Sequence, residues 1–218
     1  MSYQECLKKI NASLLPPFTF QYGREHVENI DSKWKWKDES MPQEVDGRVL
    51  HKRIYTSGDG LVQLTCEMTE FADSSVVEWI LYLENIGDKN SPIISDILPL
   101  HMNLKVDAQM IPSALYSKGC FPKAGVDNYA LCNHPIKPGE KFEISSAGGK
   151  TMEYIPFFNI CEKERGWIGA LGWVGQWTIT AEKVAPDEVE LRAGVDNIHL
   201  CLKPGEKIRT PRVLLMPW

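Results

Sequence analysis

Polar and apolar residues alternate with a period of two along much of this chain. Over residues 61–69, Val62, Leu64, Cys66 and Met68 are apolar, while Gln63, Thr65, Glu67 and Thr69 are polar. Successive side chains of a strand point to opposite faces of a sheet, so this pattern predicts a half-buried strand. Over residues 76–85, Val77, Trp79, Leu81 and Leu83 share one face, and Val76, Glu78, Ile80, Tyr82 and Glu84 share the other. Both faces carry apolar side chains, which predicts a central strand with partial cover on each side. Later, Val189, Leu191 and Ala193 alternate with Glu190 and Arg192, and Ile198, Leu200 and Leu202 alternate with His199 and Cys201. No long apolar pattern recurs at 3.6 spacing, and the only helix predicted lies at about residues 4–14.

Turn residues punctuate these runs. Gly58-Asp59-Gly60 follows one strand, and Asn85-Ile86-Gly87-Asp88 ends another. Residues 136–142 (IKPGEKF) and 202–208 (LKPGEKI) are near copies. In each, proline presets φ at the second position of a type II turn, and Gly139 or Gly205 supplies the positive φ at the third. The flanks do not align further, so no repeat architecture follows. Many short strands between Gly and Pro turns predict an all-β sandwich, residues 1–218 forming a single domain.

Composition narrows the function classes. Lys plus Arg is 24 and Asp plus Glu is 29 in 218 residues, a net charge of −5. That balance offers no basic footprint for nucleic acid or an anionic membrane surface. No apolar stretch reaches the roughly 18 residues of a membrane span. The N-terminus lacks the layout of a signal peptide, so the chain reads as cytoplasmic. Six cysteines at irregular gaps then read as reduced thiols rather than a disulfide framework.

Gly148-Gly149-Lys150-Thr151 ends like a phosphate-binding loop, but position 144 is Ile where the motif needs Gly, so a turn is the better reading. Gly166, Gly169, Gly172 and Gly175 recur every third residue without forming a dinucleotide fingerprint. Glycine inside a strand marks a bulge or a close approach. The interleaved Trp167, Trp173 and Trp177 fit a core between sheets, with a sugar-stacking platform as the alternative. Cys132 with His134 and His199 with Cys201 match no familiar zinc spacing, so no metal site and no cofactor is expected. No nucleophile motif stands out, and the five His residues are scattered. Trp34 and Trp36 sit among Lys33, Lys35, Lys37 and Asp38. That setting favours an exposed aromatic pair for carbohydrate or subunit contact. The competing reading is an edge strand guarded by lysines, with its Trp residues turned inward.

From about Trp34 onward, several segments in order resemble the N-terminal β-domain of family 36 glycoside hydrolases, the α-galactosidase family. They are Asp59-Gly60-Leu61, residues 77–87 (VEWILYLENIG) and residues 91–97 (SPIISDI). Residues 148–159 (GGKTMEYIPFFN), 172–177 (GWVGQW) and 199–215 (HLCLKPGEKIRTPRVLL) complete the set. The chain departs from the family where Lys118-Gly119-Cys120 and residues 126–129 (VDNY) stand in place of a Gly-Ser and Asp-Phe-x-Pro stretch. The larger departure is that the family's (β/α)8 barrel, which holds both catalytic Asp residues, has no counterpart here. No catalytic residue therefore carries over. The resemblance implies a large two-sheet antiparallel β-supersandwich of the galactose-mutarotase-like kind. It implies a non-catalytic domain that packs on a catalytic barrel and helps shape a sugar site or a subunit interface, with galactosides and a homo-oligomer as further partners. A free-standing carbohydrate-binding module is the alternative. An enzyme in its own right would need a His and carboxylate constellation in a cleft.

Overall fold

The computed structural model describes residues 17–28, 34–38, 43–120, 125, 127–146 and 153–218. The helix predicted at residues 4–14 and the loop at 148–151 lie outside them. The described residues form strands and no helix. In chain order these are β1 Thr19–Tyr22, β2 Glu25–Glu28, β3 Lys35–Asp38, β4 Gln43–Val45, β5 Arg48–Thr56 and β6 Val62–Phe71. Next come β7 Val77–Asn85, β8 Ile94–Leu98, β9 Leu100–Lys105, β10 Ser113–Lys118, β11 Leu131–Pro135 and β12 Lys141–Ser145. The last are β13 Tyr154–Glu162, β14 Arg165–Gly172, β15 Thr178–Ala185, β16 Glu188–Gly194, β17 His199–Leu200, β18 Lys207–Arg209 and β19 Arg212–Pro217.

An eleven-stranded sheet runs β11-β10-β13-β14-β19-β7-β6-β5-β3, with β18 beside β7 and β4 beside β5. Two four-stranded sheets run β17-β8-β1-β2 and β12-β15-β16-β9. All pairings are antiparallel. All three sheets contribute to one buried apolar cluster, so the architecture is the expected all-β supersandwich. Val62, Leu64, Cys66 and Met68 enter it from β6, and Val77, Trp79, Leu81 and Leu83 from β7. Phe20 and Ile94 enter from one small sheet, and Leu100, Ile179, Val189 and Leu191 from the other. The indole of Trp79 is fully buried and donates Nε1–H to the Pro99 carbonyl at 2.8 Å, so its one polar group is satisfied inside the core.

The turns follow their residues. Gly139 and Gly205 take φ of 76° and 79°, and the amides of Glu140 and Glu206 donate to the carbonyls of Lys137 and Lys203 at 3.0 and 2.9 Å. These are the type II turns that each Pro-Gly pair predicts. Asn85 anchors the second of them from β7. Its Nδ2 donates to the carbonyls of Leu202 and Lys89 at 2.7 and 2.8 Å, and its Oδ1 accepts from the Gly87 amide at 2.9 Å. Between β18 and β19, Pro211 has no N–H to offer β7. Thr210 bridges the break, its amide donating to the Leu81 carbonyl at 2.9 Å and its hydroxyl accepting from the Leu81 amide at 3.1 Å.

The glycine-rich strand also has a packing cause. A Cβ on Gly169 would stand 2.1 Å from Cζ of Phe158, its cross-strand partner. The Phe158 ring therefore lies over the bare backbone of Gly169 and fills the place of a side chain.

Candidate functional site

A polar cleft opens where β9, β15 and β16 of one small sheet meet β1 and β8 of the other. Its volume is about 550 Å³. Alternation on β16 turns Val189, Leu191 and Ala193 into the core, which leaves Glu190 and Arg192 on the opposite face. Register then sets His101 of β9 directly beside Arg192. His101 Nε2 lies 2.8 Å from Glu190 Oε1, and the Arg192 guanidinium donates to the same oxygen at 2.8 Å. On the other side of the ring, Nδ1 lies 3.0 Å from the Thr19 hydroxyl on β1. Burial alone would raise the Glu190 carboxyl, but the bonds from His101 and Arg192 outweigh it and hold Glu190 below the ordinary carboxylate range.

The row Thr19, His101, Glu190 has the order of a nucleophile, base and acid, yet it cannot serve as one. Thr19 is only 3% exposed, so no substrate carbon can reach its hydroxyl. The row instead fixes the His101 ring and the Glu190 carboxylate in place. Farther along the cleft, Thr178 donates to Asp196 Oδ2 at 2.6 Å, and Ser95 donates to Asp96 Oδ2 at 3.1 Å. Gln21, His26, Lys141, Thr180 and Asn197 complete the polar lining, with Leu98, Val195 and Ile198 as its apolar part.

Sequence reasoning missed this site. The polar positions on β16 are legible in the alternation, but His101 and Glu190 stand 89 residues apart and meet only through strand pairing. One of the five scattered histidines thus does join a carboxylate in a cleft.

The Trp34 and Trp36 expectation is corrected at Trp34. It is 3% exposed, its ring edge-on to Phe20 and Tyr22 at 5.6 and 5.5 Å. The inward-facing edge strand is the reading that fits: β3 is the last strand of the large sheet, and Lys35 is exposed. The physical reason is that a lysine beside a buried ring can point outward on the opposite pleat, so a charged local sequence does not force the ring into water. Trp36 pairs its backbone with Tyr55, and its side chain lies outside the described residues. Trp177 is fully buried, as its apolar neighbours predict. Trp173 is half-buried against the core, with the Arg209 guanidinium 5.2 Å over its ring.

The Cys and His pairs do not converge, since β11 belongs to the large sheet and β17 to a small one. No cluster of three or more His, Cys, Asp or Glu suited to a metal occurs among the described residues. At the 57–61 turn, Tyr22 donates to Asp59 at 2.9 Å, and Ser57 and the Leu61 amide donate to it at 2.6 and 3.0 Å, a set that closes the turn.

No protein-family model matches this chain, and no curated protein does. Solved structures do match. The GH36 α-galactosidase AgaA of Geobacillus stearothermophilus superposes with a TM-score of 0.69 at 13% identity, over 93% of this chain and 30% of that one. The α-galactosidase of Lactobacillus brevis gives 0.68 at 16% identity, over 93% and 29%. The galactosidase domain of the α-galactosidase-sucrose kinase AgaSK gives 0.66 at 15%, over 93% and 30%. The chain has the fold of a segment of GH36 α-galactosidases. That segment is less than a third of their length, and at this identity the likeness is one of fold.

Proposed function

We propose that this chain is a non-catalytic β-domain of an α-galactosidase-like hydrolase and packs on a catalytic domain. The coverage carries the reading: 93% of the chain is matched, yet this accounts for only 30% of AgaA. AgaA variants have been captured with stachyose and raffinose, and the proposal extends an α-galactoside context to this chain.

The outer face of the large sheet supports a packed partner. Cross-strand register sets Leu115 beside Asn159, Asn159 beside Ile168 and Ile168 beside Met216. The next row sets Phe157 beside Ala170 and Ala170 beside Leu214. Phe157 is 53% exposed, and Trp218 reaches over the same face to donate Nε1–H to Asn159 Oδ1 at 3.0 Å. An antiparallel sheet that faced water here would carry polar side chains. The face is suited to a catalytic domain, and its rim, where Arg212 pairs with Glu78 at 2.8 Å, is polar.

The test is to recover the native protein from its source and determine what chain or complex carries residues 1–218. A glycosidase barrel on the same or an associated chain supports the reading, and a native form with neither overturns it. Purified residues 1–218 should not turn over an aryl α-galactoside, because retaining hydrolysis needs two carboxyl groups ~5–5.5 Å apart across the scissile bond and the resemblance puts both on the barrel.

A further inference from the structure

We infer that β11 is a docking edge, and that two copies of this chain join their β11 strands antiparallel about a two-fold axis at Asn133. The inference stands apart from the packing on a catalytic domain, because the pairing lies in the plane of the large sheet and leaves its outer face open.

β11 is the last strand of the large sheet, and no described strand pairs with its outer side. Its sequence, LCNHP, holds no Asp, Glu, Lys or Arg. The other sheet edges among the described residues are guarded by charge or by brevity, as edges open to water usually are. β3 carries Lys35, β4 Glu44, β2 Glu25, β12 Lys141 and β9 Lys105, and β17 is two residues long. β11 runs for five residues, and Leu131 is 90% exposed. Asn133 and Pro135 are exposed on the same face, while Cys132 and His134 are half-buried on the other.

The ladder to β10 fixes which backbone groups are free. At one end of the strand the Lys118 amide donates to the Ala130 carbonyl at 3.0 Å, and at the other the Ile136 amide donates to the Pro112 carbonyl at 2.8 Å. Hydrogen-bonded pairs alternate along an antiparallel ladder, so between these ends Cys132 bonds to Tyr116 and His134 to Ala114. The N–H and C=O of Leu131 and Asn133, and the C=O of Pro135, therefore point away from the sheet.

A second copy of the strand matches that pattern. With Asn133 opposite Asn133, each backbone donates to the other. The Leu131 N–H of each copy then meets the Pro135 C=O of the other. Two bonds at the centre and one at each end make four. The N–H that Pro135 lacks falls at the ends of the pair, where the Leu131 carbonyl stays open to water. A register shifted by two residues also makes four bonds but sets Leu131 beside Asn133. The centred register sets Leu131 beside Pro135, apolar against apolar. No like charges meet, and a two-fold contact closes at two copies instead of growing into a fibre.

The test is sedimentation equilibrium of the full chain from ~1 μM to ~1 mM. Four main-chain bonds and two Leu–Pro contacts make a small interface, so the expected dimer has a Kd of about 100 μM. Asn133→Pro removes the N–H at the two-fold axis without touching a bond to β10, and Leu131→Lys guards the edge with charge. Each should weaken the dimer by about tenfold or more. With Cys120 and Cys201 changed to Ser, Asn133→Cys should form a disulfide between copies, because Cα atoms at a hydrogen-bonded pair stand ~5.5 Å apart. A chain that stays monomeric at ~1 mM overturns the inference, as does a dimer that neither variant weakens. A dimer that forms no disulfide at position 133 overturns the pairing centred there. If Asn133→Pro misfolds, Leu131→Lys and the disulfide decide.

Discussion

Replacing Asn85 with alanine tests how the 202–208 turn and the 86–89 loop are anchored to β7. Asn85 is 1% exposed, and its amide makes three hydrogen bonds to the backbone. The substitution does not strand all three partners equally. The Leu202 carbonyl keeps the Ser91 amide, which donates to it at 2.9 Å. The Lys89 carbonyl and the Gly87 amide are only partly buried and regain water. One buried bond is lost outright, and two are exchanged at a discount. At ~1 kcal/mol per bond, plus a residual desolvation penalty, the loss sums to ~3 kcal/mol. At ~2–4 °C per kcal/mol for a domain of this size, the melting temperature should fall by ~6–12 °C. Urea melts should show a lower midpoint with an unchanged slope, since the fold remains the same. Asn85→Asp supplies a sharper comparison. At neutral pH it sets a carboxylate against two carbonyl oxygens at the 2.7 and 2.8 Å now spanned by Nδ2, so it should be less stable than the alanine variant. An Asn85→Asp protein as stable as wild type at pH 7 would refute the assigned bonding, and with it the role given to Asn85.

Three further outcomes are expected. Trp34→Ala and Trp177→Ala should each destabilise by ~3–5 kcal/mol in urea melts, because both rings are buried; an unchanged midpoint for Trp34→Ala would contradict its place in the core. Burial pushes the Cys66 thiol up to about 12, so a thiol reagent should leave Cys66 unmodified in native protein while exposed Cys120 and Cys201 react, and early labelling of Cys66 by mass spectrometry would oppose this. Asp59 is raised by burial but lowered more by bonds from Ser57, Leu61 and Tyr22, and Glu190 is likewise lowered on balance. Both therefore contribute stability that is present above their ordinary values of 3.8 and 4.5 and lost as pH falls through the lower folded values. The stability gap between wild type and Glu190→Gln should shrink on acidification, and a gap that grows would reverse the sign of the argument.

Some of this protein is written locally in its residues. A period-two pattern reports which side of a strand meets apolar surroundings, so the core faces of β6 and β7 are legible without coordinates. A Pro-Gly pair reports its own turn, because proline and glycine restrict φ whatever surrounds them, and both turns are found where those pairs stand. The crowding of β14 by glycine signals a close approach, though only the register names Phe158 as the group that approaches. The burial of Trp34 is a tertiary matter. Lysines on either side of a ring say nothing about the pleat on which the ring lies, and Phe20 and Tyr22 reach it from another sheet. The cleft is more remote still from the sequence. Thr19, His101, Glu190 and Arg192 lie on three strands drawn from both ends of the chain, and none is unusual in its own segment. Hydrogen-bonding and charge complementarity act over a few ångströms in space, whereas alternation and turn preference act over a few residues along the chain, so the strands could be read from the sequence and the site could not.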